Sequence, residues 1–108
     1  MGTVRQLICD AVEKEYEEAN KKYPMFGSAH EGESVIREEI EEVKEALQGV
    51  DTFHDAMWDA IRNNRKDESI RYAGGLEKEA LELIEEAIQV AAMAEKYVSS
   101  LDKRGIQQ

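Results

Sequence analysis

Two sets of acids define the chemistry open to this chain. Glu38-Glu39-Ile40-Glu41-Glu42 lies in one amphipathic stretch, and Glu79, Glu82 and Glu86 recur at helical spacing in another. Residues three or four apart on a helix share a face. In the first stretch Ile36, Ile40, Val43 and Leu47 mark a core seam. Glu38, Glu41 and Glu45 then fall on the opposite, solvated side. Glu39 and Glu42 lie on the flank of the seam, in a stripe with Val35 and Ala46, and are expected to be partly buried. In the second stretch Ala80, Leu83, Ala87, Val90, Ala94 and Leu101 form the seam, flanked by Glu79, Glu82, Glu86, Gln89 and Met93. Bringing carboxylates together away from water is costly unless their charge is cancelled, and their mutual repulsion favours protonation. A divalent cation removes the difficulty. Mg²⁺ takes hard oxygen ligands and keeps water and phosphate in its shell, so acid pairs one turn apart on facing helices suit it.

The elements that must carry these acids are helical. The chain has 108 residues, of which 42% are apolar and 35% charged, enough for one modest core over residues 1–108. It has one proline and no period-two alternation. Four helices are predicted. The first covers about residues 3–22, on Val4, Leu7, Ile8, Ala11, Val12 and Ala19. Pro24 and Gly27 end it, and Ser28 with Glu31 has capping-box spacing for the second, which runs to about Gly49. A third follows Asp51 over about 52–64, with Phe53, Met57, Trp58 and Ile61. After the polar loop "RNNRKDES" the fourth runs to about Leu101, with Gly74-Gly75 starting or kinking it. The expected architecture is an all-α, four-helix antiparallel bundle. Between Ala87 and Ala94 the fourth helix is apolar on almost every side but Gln89, which points to deep burial or to a second chain.

Net charge excludes one class of partner. At −10, the chain would repel a nucleic-acid backbone, although a nucleotide could enter with a divalent cation. No run approaches the ~18 apolar residues of a membrane span. Cys9 is the only cysteine and has no intrachain disulfide partner. With no signal-peptide pattern in "MGTVRQLICDAVEKE", these features suggest a cytoplasmic protein with no membrane association. Cys9 itself reads as a small buried residue, His54 as structural, and Phe53 and Trp58 as core or interface.

The pair "FGSAHEGESVIREEIEEVKEAL" and "EAIQVAAMAEKYV" resembles the MazG-like all-α nucleoside triphosphate pyrophosphohydrolases of the small phage and bacterial type. The resemblance spans about residues 23–47 and 79–101. It implies a helical bundle, assembled as a homodimer or homotetramer, that cleaves a (deoxy)nucleoside triphosphate to the monophosphate and pyrophosphate with Mg²⁺, Mn²⁺ being the alternative ion. The family motif Glu-Glu-x-x-Glu falls on Glu38-Glu39-x-x-Glu42, making Glu39 and Glu42 the ligands and catalytic carboxylates, with Glu39 the choice for activating water. The second motif, Glu-x-x-Asp, falls on Glu86-Ala87-Ile88-Gln89. Gln89 stands where the family has Asp, which removes one formal charge from the metal site. Glu82, one turn before Glu86, is the candidate to replace it.

Further contacts to the substrate are expected from His30, from Lys96 on the same flank as Gln89, and from Phe26 in the loop before the acidic helix. The plainer readings are a helix-capping His30, a solvated Lys96 and a hydrophobic cap at Phe26. Two other functions compete. One is a non-catalytic MazG-like oligomeric interaction protein whose metal site has degenerated, which Gln89 favours. The other is an acidic DNA mimic or adaptor, which predicts acids spread over an outer surface. An iron-carboxylate bundle is disfavoured because the Glu-x-x-His pairs it needs are absent.

Overall fold

The structure, a computed structural model, describes residues 2–107, with side chains as far as residue 102. Among them are three helices and no strand: α1 (Val4–Lys22), α2 (Ala29–Arg62) and α3 (Lys66–Gln107). The all-α expectation holds and the expected count of four does not. The second and third predicted helices are one continuous helix, α2. No described helix is long and apolar enough to cross a membrane.

Each helix end has a local cause. Thr3 caps α1, its hydroxyl accepting from Gln6 N at 3.1 Å. Tyr23 leaves the helix in an extended conformation (φ −134°, ψ 142°), as the residue before Pro24 must. Ser28 Oγ accepts from Glu31 N at 3.1 Å to open α2, while the Glu31 carboxylate accepts from Gly27 N at 3.2 Å. The cap expected from Ser28 and Glu31 therefore forms, with the return bond taken one residue earlier than in a standard capping box. At the other end Asn64 adopts φ 57°, Asn64 N donates to Ile61 O at 3.1 Å and Arg65 N to Ala60 O at 2.8 Å. This is a Schellman ending with asparagine in the left-handed position. Arg65 then bridges Asp59 of α2 and Glu68 in the first turn of α3. The polar loop thus shrinks to Asn63–Arg65, and "KDES" is already helix.

The chain packs as two compact units, one formed by Met1–Ile40 with Ala87–Gln108 and the other by Glu41–Glu86. In the first, Phe26, Ala92 and Met93 form the buried core, with Val12, Tyr16, Ala19, Val35, Ile36 and Tyr97 packed around it. The seams read from the sequence are rotated in the structure. Ala92, Met93, Lys96 and Ser100 are the buried face of α3 there, while Ala87 and Ala94 are exposed. Cys9 is exposed rather than buried.

The second unit is a helical hairpin built on small residues. Ala46 and Ala60 are its buried positions, whereas Leu47 is 48% and Trp58 56% exposed. Trp58 is therefore no core residue. Small residues explain why α2 does not stop at Gly49. An interior glycine costs only about 1 kcal/mol relative to alanine, and Gly49 is where a side chain from α3 crosses: a Cβ there would lie 2.6 Å from Glu79 Oε2. Gly75 serves Phe53 in the same way, since a Cβ would lie 2.8 Å from Phe53 Cζ and closer to two other ring carbons. Gly74 has nothing within 4 Å. Gly75→Ala is expected to destabilise by about 1–3 kcal/mol through overpacking, and Gly74→Ala to stabilise by up to about 1 kcal/mol. Urea denaturation of the two variants checks this, and equal effects would show that the Phe53 contact is not tight.

Candidate functional site

The second unit holds an acidic cleft. Glu42, Glu45 and Ala46 of α2 and Glu79, Glu82 and Glu86 of α3 line a cavity of about 360 Å³. The α2 set sits at i, i+3 and i+4 and the α3 set at i, i+3 and i+7, so each is one helix face. Ala46, only 6% exposed, lets the two helices approach. Oxygens of Glu42 and Glu86 lie within 4.8 Å of each other. The donor set is entirely carboxylate, with no histidine, cysteine or basic side chain in the lining. Unit charges of like sign about 5 Å apart repel by roughly 3 kcal/mol at an effective dielectric of about 20, and water reaches the cleft to screen them, since Glu42, Glu45 and Glu82 are exposed. A hard divalent cation matches that donor chemistry.

Glu82 and Glu86, both named from the sequence, thus lie in one cleft with Glu42. Glu45 borders the same cleft while remaining exposed, as expected of its solvated side. The helix is turned so that Ala46 rather than Leu47 faces inward, and Glu45, one position before Ala46, turns with it. Of the two acids expected to be partly buried, Glu39 is half-buried in the first unit, and Glu42, one turn later on α2, is exposed.

The first unit has its own groove, of about 540 Å³, with Glu15, Phe26, Val35, Glu39, Gln89 and Lys96 among its lining residues. Gln89 Nε2 donates to Glu15 Oε2 at 2.8 Å. Because a carboxylate only accepts, this bond fixes which end of the amide points at Glu15. Glu15 is the residue the sequence reading missed. Its signal is the Val12, Glu15, Tyr16, Ala19 spacing, which puts it on the packed face of α1 beside residues that are all half-buried.

Lys96 is 3% exposed, not solvated as the plainer reading had it. Its Nζ lies 4.8 Å from the centroid of the Phe26 ring. Phe26 is itself 3% exposed, and its backbone N donates to Ser100 Oγ at 3.0 Å. The ring is a structural support for Lys96, enclosed rather than open for stacking. His30 is exposed in the first turn of α2.

A third cavity, of about 530 Å³, lies between α1 and α3 of the first unit and includes Arg5, Cys9, Glu13 and Glu95. Glu95 Oε2 is enclosed without a hydrogen-bond partner. Burial first, then the negative charge of nearby Glu13, raise the Glu95 pKa above the ordinary glutamate value. A raised carboxyl pKa means the folded protein holds a proton that the unfolded chain has released. Its contribution to stability is full below the ordinary glutamate pKa of about 4.3 and is lost as pH rises through the folded value. Glu95→Gln is therefore expected to have a higher Tm than the parent at pH 7–8, with the difference shrinking as pH falls towards about 4. Thermal melts across that range check it, and a pH-independent difference would refute the assignment.

No family model matches the chain, and neither does any curated protein or solved structure.

Proposed function

We propose that the protein is a divalent-metal-dependent nucleoside triphosphate pyrophosphohydrolase that converts a (deoxy)nucleoside triphosphate to the monophosphate and pyrophosphate, in a nucleotide-pool house-cleaning role. The observation that carries the reading is the placement of Glu42 and Glu86 within 4.8 Å of each other in a cleft whose other titratable groups are all glutamates. Hard oxygen donors of this kind fit Mg²⁺ or Mn²⁺. When bound, the ion supplies neutralisation of phosphate charge and a more acidic water.

The chain's own residues supply the rest. Glu42 and Glu86 hold the ion, with Glu82 on the same face of α3 as the further ligand. The resemblance, rather than the geometry of the cleft, assigns activation of the attacking water to Glu39. Glu45 and Glu79 keep the cleft negative, so a free triphosphate is repelled and a metal-bound one admitted. The Glu38-Glu39-x-x-Glu42 pattern and its resemblance to the MazG-like enzymes support this assignment. A homodimer or homotetramer belongs to the same reading. Trp58, Ile61, Ile70, Leu81 and Ile84 of the second unit are between 45% and 59% exposed, an apolar surface that a second copy would cover.

A second reading, a non-catalytic interaction protein, is favoured by Gln89. Its amide is committed to Glu15 in the first unit and adds no charge to a metal site.

Pyrophosphate release from a panel of NTPs and dNTPs, with Mg²⁺ and with EDTA, separates the two. The expected result is metal-dependent pyrophosphate without free phosphate, reduced by about 100-fold in Glu42→Gln and Glu86→Gln. Glu38→Gln should retain most activity, because Glu38 does not line the cleft. Silence across the panel would remove the enzyme reading in favour of the second.

A further inference from the structure

We infer that the groove of the first unit selects an uncharged heterocycle carrying both an exocyclic amine and a carbonyl, the edge pattern of cytosine or guanine, through Glu15, Gln89 and Lys96. The ligand class rests on the pyrophosphohydrolase reading; the donor and acceptor pattern comes from the groove itself.

Lys96 carries the argument. Removing an ammonium group from water costs several kcal/mol, and a cation–π contact such as that with Phe26 returns at most about 2 kcal/mol. None of the ion pairs among the described residues includes Lys96. Lys96, 3% exposed, therefore lines a groove of about 540 Å³ with donors to offer and no ion-pair partner among the described residues. A ligand oxygen answers that need. The other end of the groove has the opposite character. Gln89 spends an N–H on Glu15, so the pair offers acceptors: the Gln89 amide oxygen and the second Glu15 oxygen.

Gln89, Met93 and Lys96 follow one another on one face of α3, and Lys96 leans back towards Met93, as helical side chains do. The backbone separation from Gln89 to Lys96 is about 10 Å; both side chains lean the same way, so their ends keep about that spacing, which one heterocycle with a hydrogen bond of about 3 Å at each end spans. Met93, 7% exposed, and the half-buried Val35 supply apolar surface between the two ends. The ring must be neutral: Glu15, Glu18, Glu31 and Glu39 line the groove against Lys22 and Lys96, an excess of negative charge that disfavours a phosphate there. An amine directed at the Glu15–Gln89 end and a carbonyl at Lys96 satisfy both ends at once. Uracil, thymine and hypoxanthine have the carbonyl and lack the amine.

The test uses the full chain with nucleosides, without metal and without phosphate. Calorimetry should show cytidine or guanosine binding at least about tenfold more tightly than uridine and inosine, because the wrong edge leaves buried acceptors unpaired. Glu15→Ala should bring that ratio close to one. Lys96→Met, which keeps the volume and removes the buried charge, should weaken the preferred nucleoside by about tenfold with Tm unchanged or raised. Equal binding of all four nucleosides, no binding up to millimolar concentration, or variants with parental affinities would each overturn the inference. Selective nucleoside binding without pyrophosphate release would leave it standing while the hydrolase reading fell, and release with no base discrimination would do the reverse.

Discussion

The first unit depends on how it accommodates one buried cation. Lys96 sits on α3 with its charge over the Phe26 ring, and Phe26 is held there by its own backbone bond to Ser100, one turn further along α3. The link between α1 and α2 is thereby fastened to α3. Burying an ammonium group among alkyl side chains is normally prohibitive. Here the π face of Phe26 meets one side of it and a groove with polar walls the other. The same contacts that order the loop set Lys96 in the lining of the groove.

The second unit meets the opposite problem, an excess of carboxylates. Its helices can pair because the residues where they meet are small. Ala46 and Ala60 are buried, Gly49 admits the Glu79 carboxylate, and Gly75 admits the Phe53 ring. Larger residues at these places would separate the helices and draw Glu42 and Glu86 apart. A cleft of this kind is built by close backbone approach more than by the acids themselves, which on separated helices would be an ordinary solvated surface.

Much of this was legible in the sequence. The limits of α1, the Ser28 cap on α2, and the half-burial of Glu39 and Glu86 all follow from short-range rules of spacing and capping, whereas Glu42 and Glu82 on the same flanks are exposed. The errors share a different origin. Gly49 and Asp51 look like a break, but the gain from packing on Ala46 and Ala60 exceeds the helix penalty of one glycine, so α2 runs on. The predicted seams on Ile40, Leu47, Ala87 and Ala94 are rotated by about one residue, since apolar periodicity alone does not say which of two adjacent stripes meets a neighbour. That rotation is also why Glu45 borders the cleft and Lys96 enters the core. Glu15 could be placed only by knowing which helix faces Gln89, information that single-helix periodicity does not contain.

The division of the chain into Glu41–Glu86 and the two segments that flank it also bears on how it folds. The second unit closes over a three-residue turn, with neighbours in space that are neighbours in sequence, and such low contact order favours rapid formation. The first unit must join α1 to a stretch of α3 more than sixty residues later, as the Tyr16–Ser99 hydrogen bond at a separation of 83 residues shows. During synthesis the hairpin can therefore form while Lys96 and Ser100 are still to be made. Phe26 therefore stays uncovered until Ala92 and Met93 of α3 arrive to pack on it, so the core of the first unit is the last part of the chain to close.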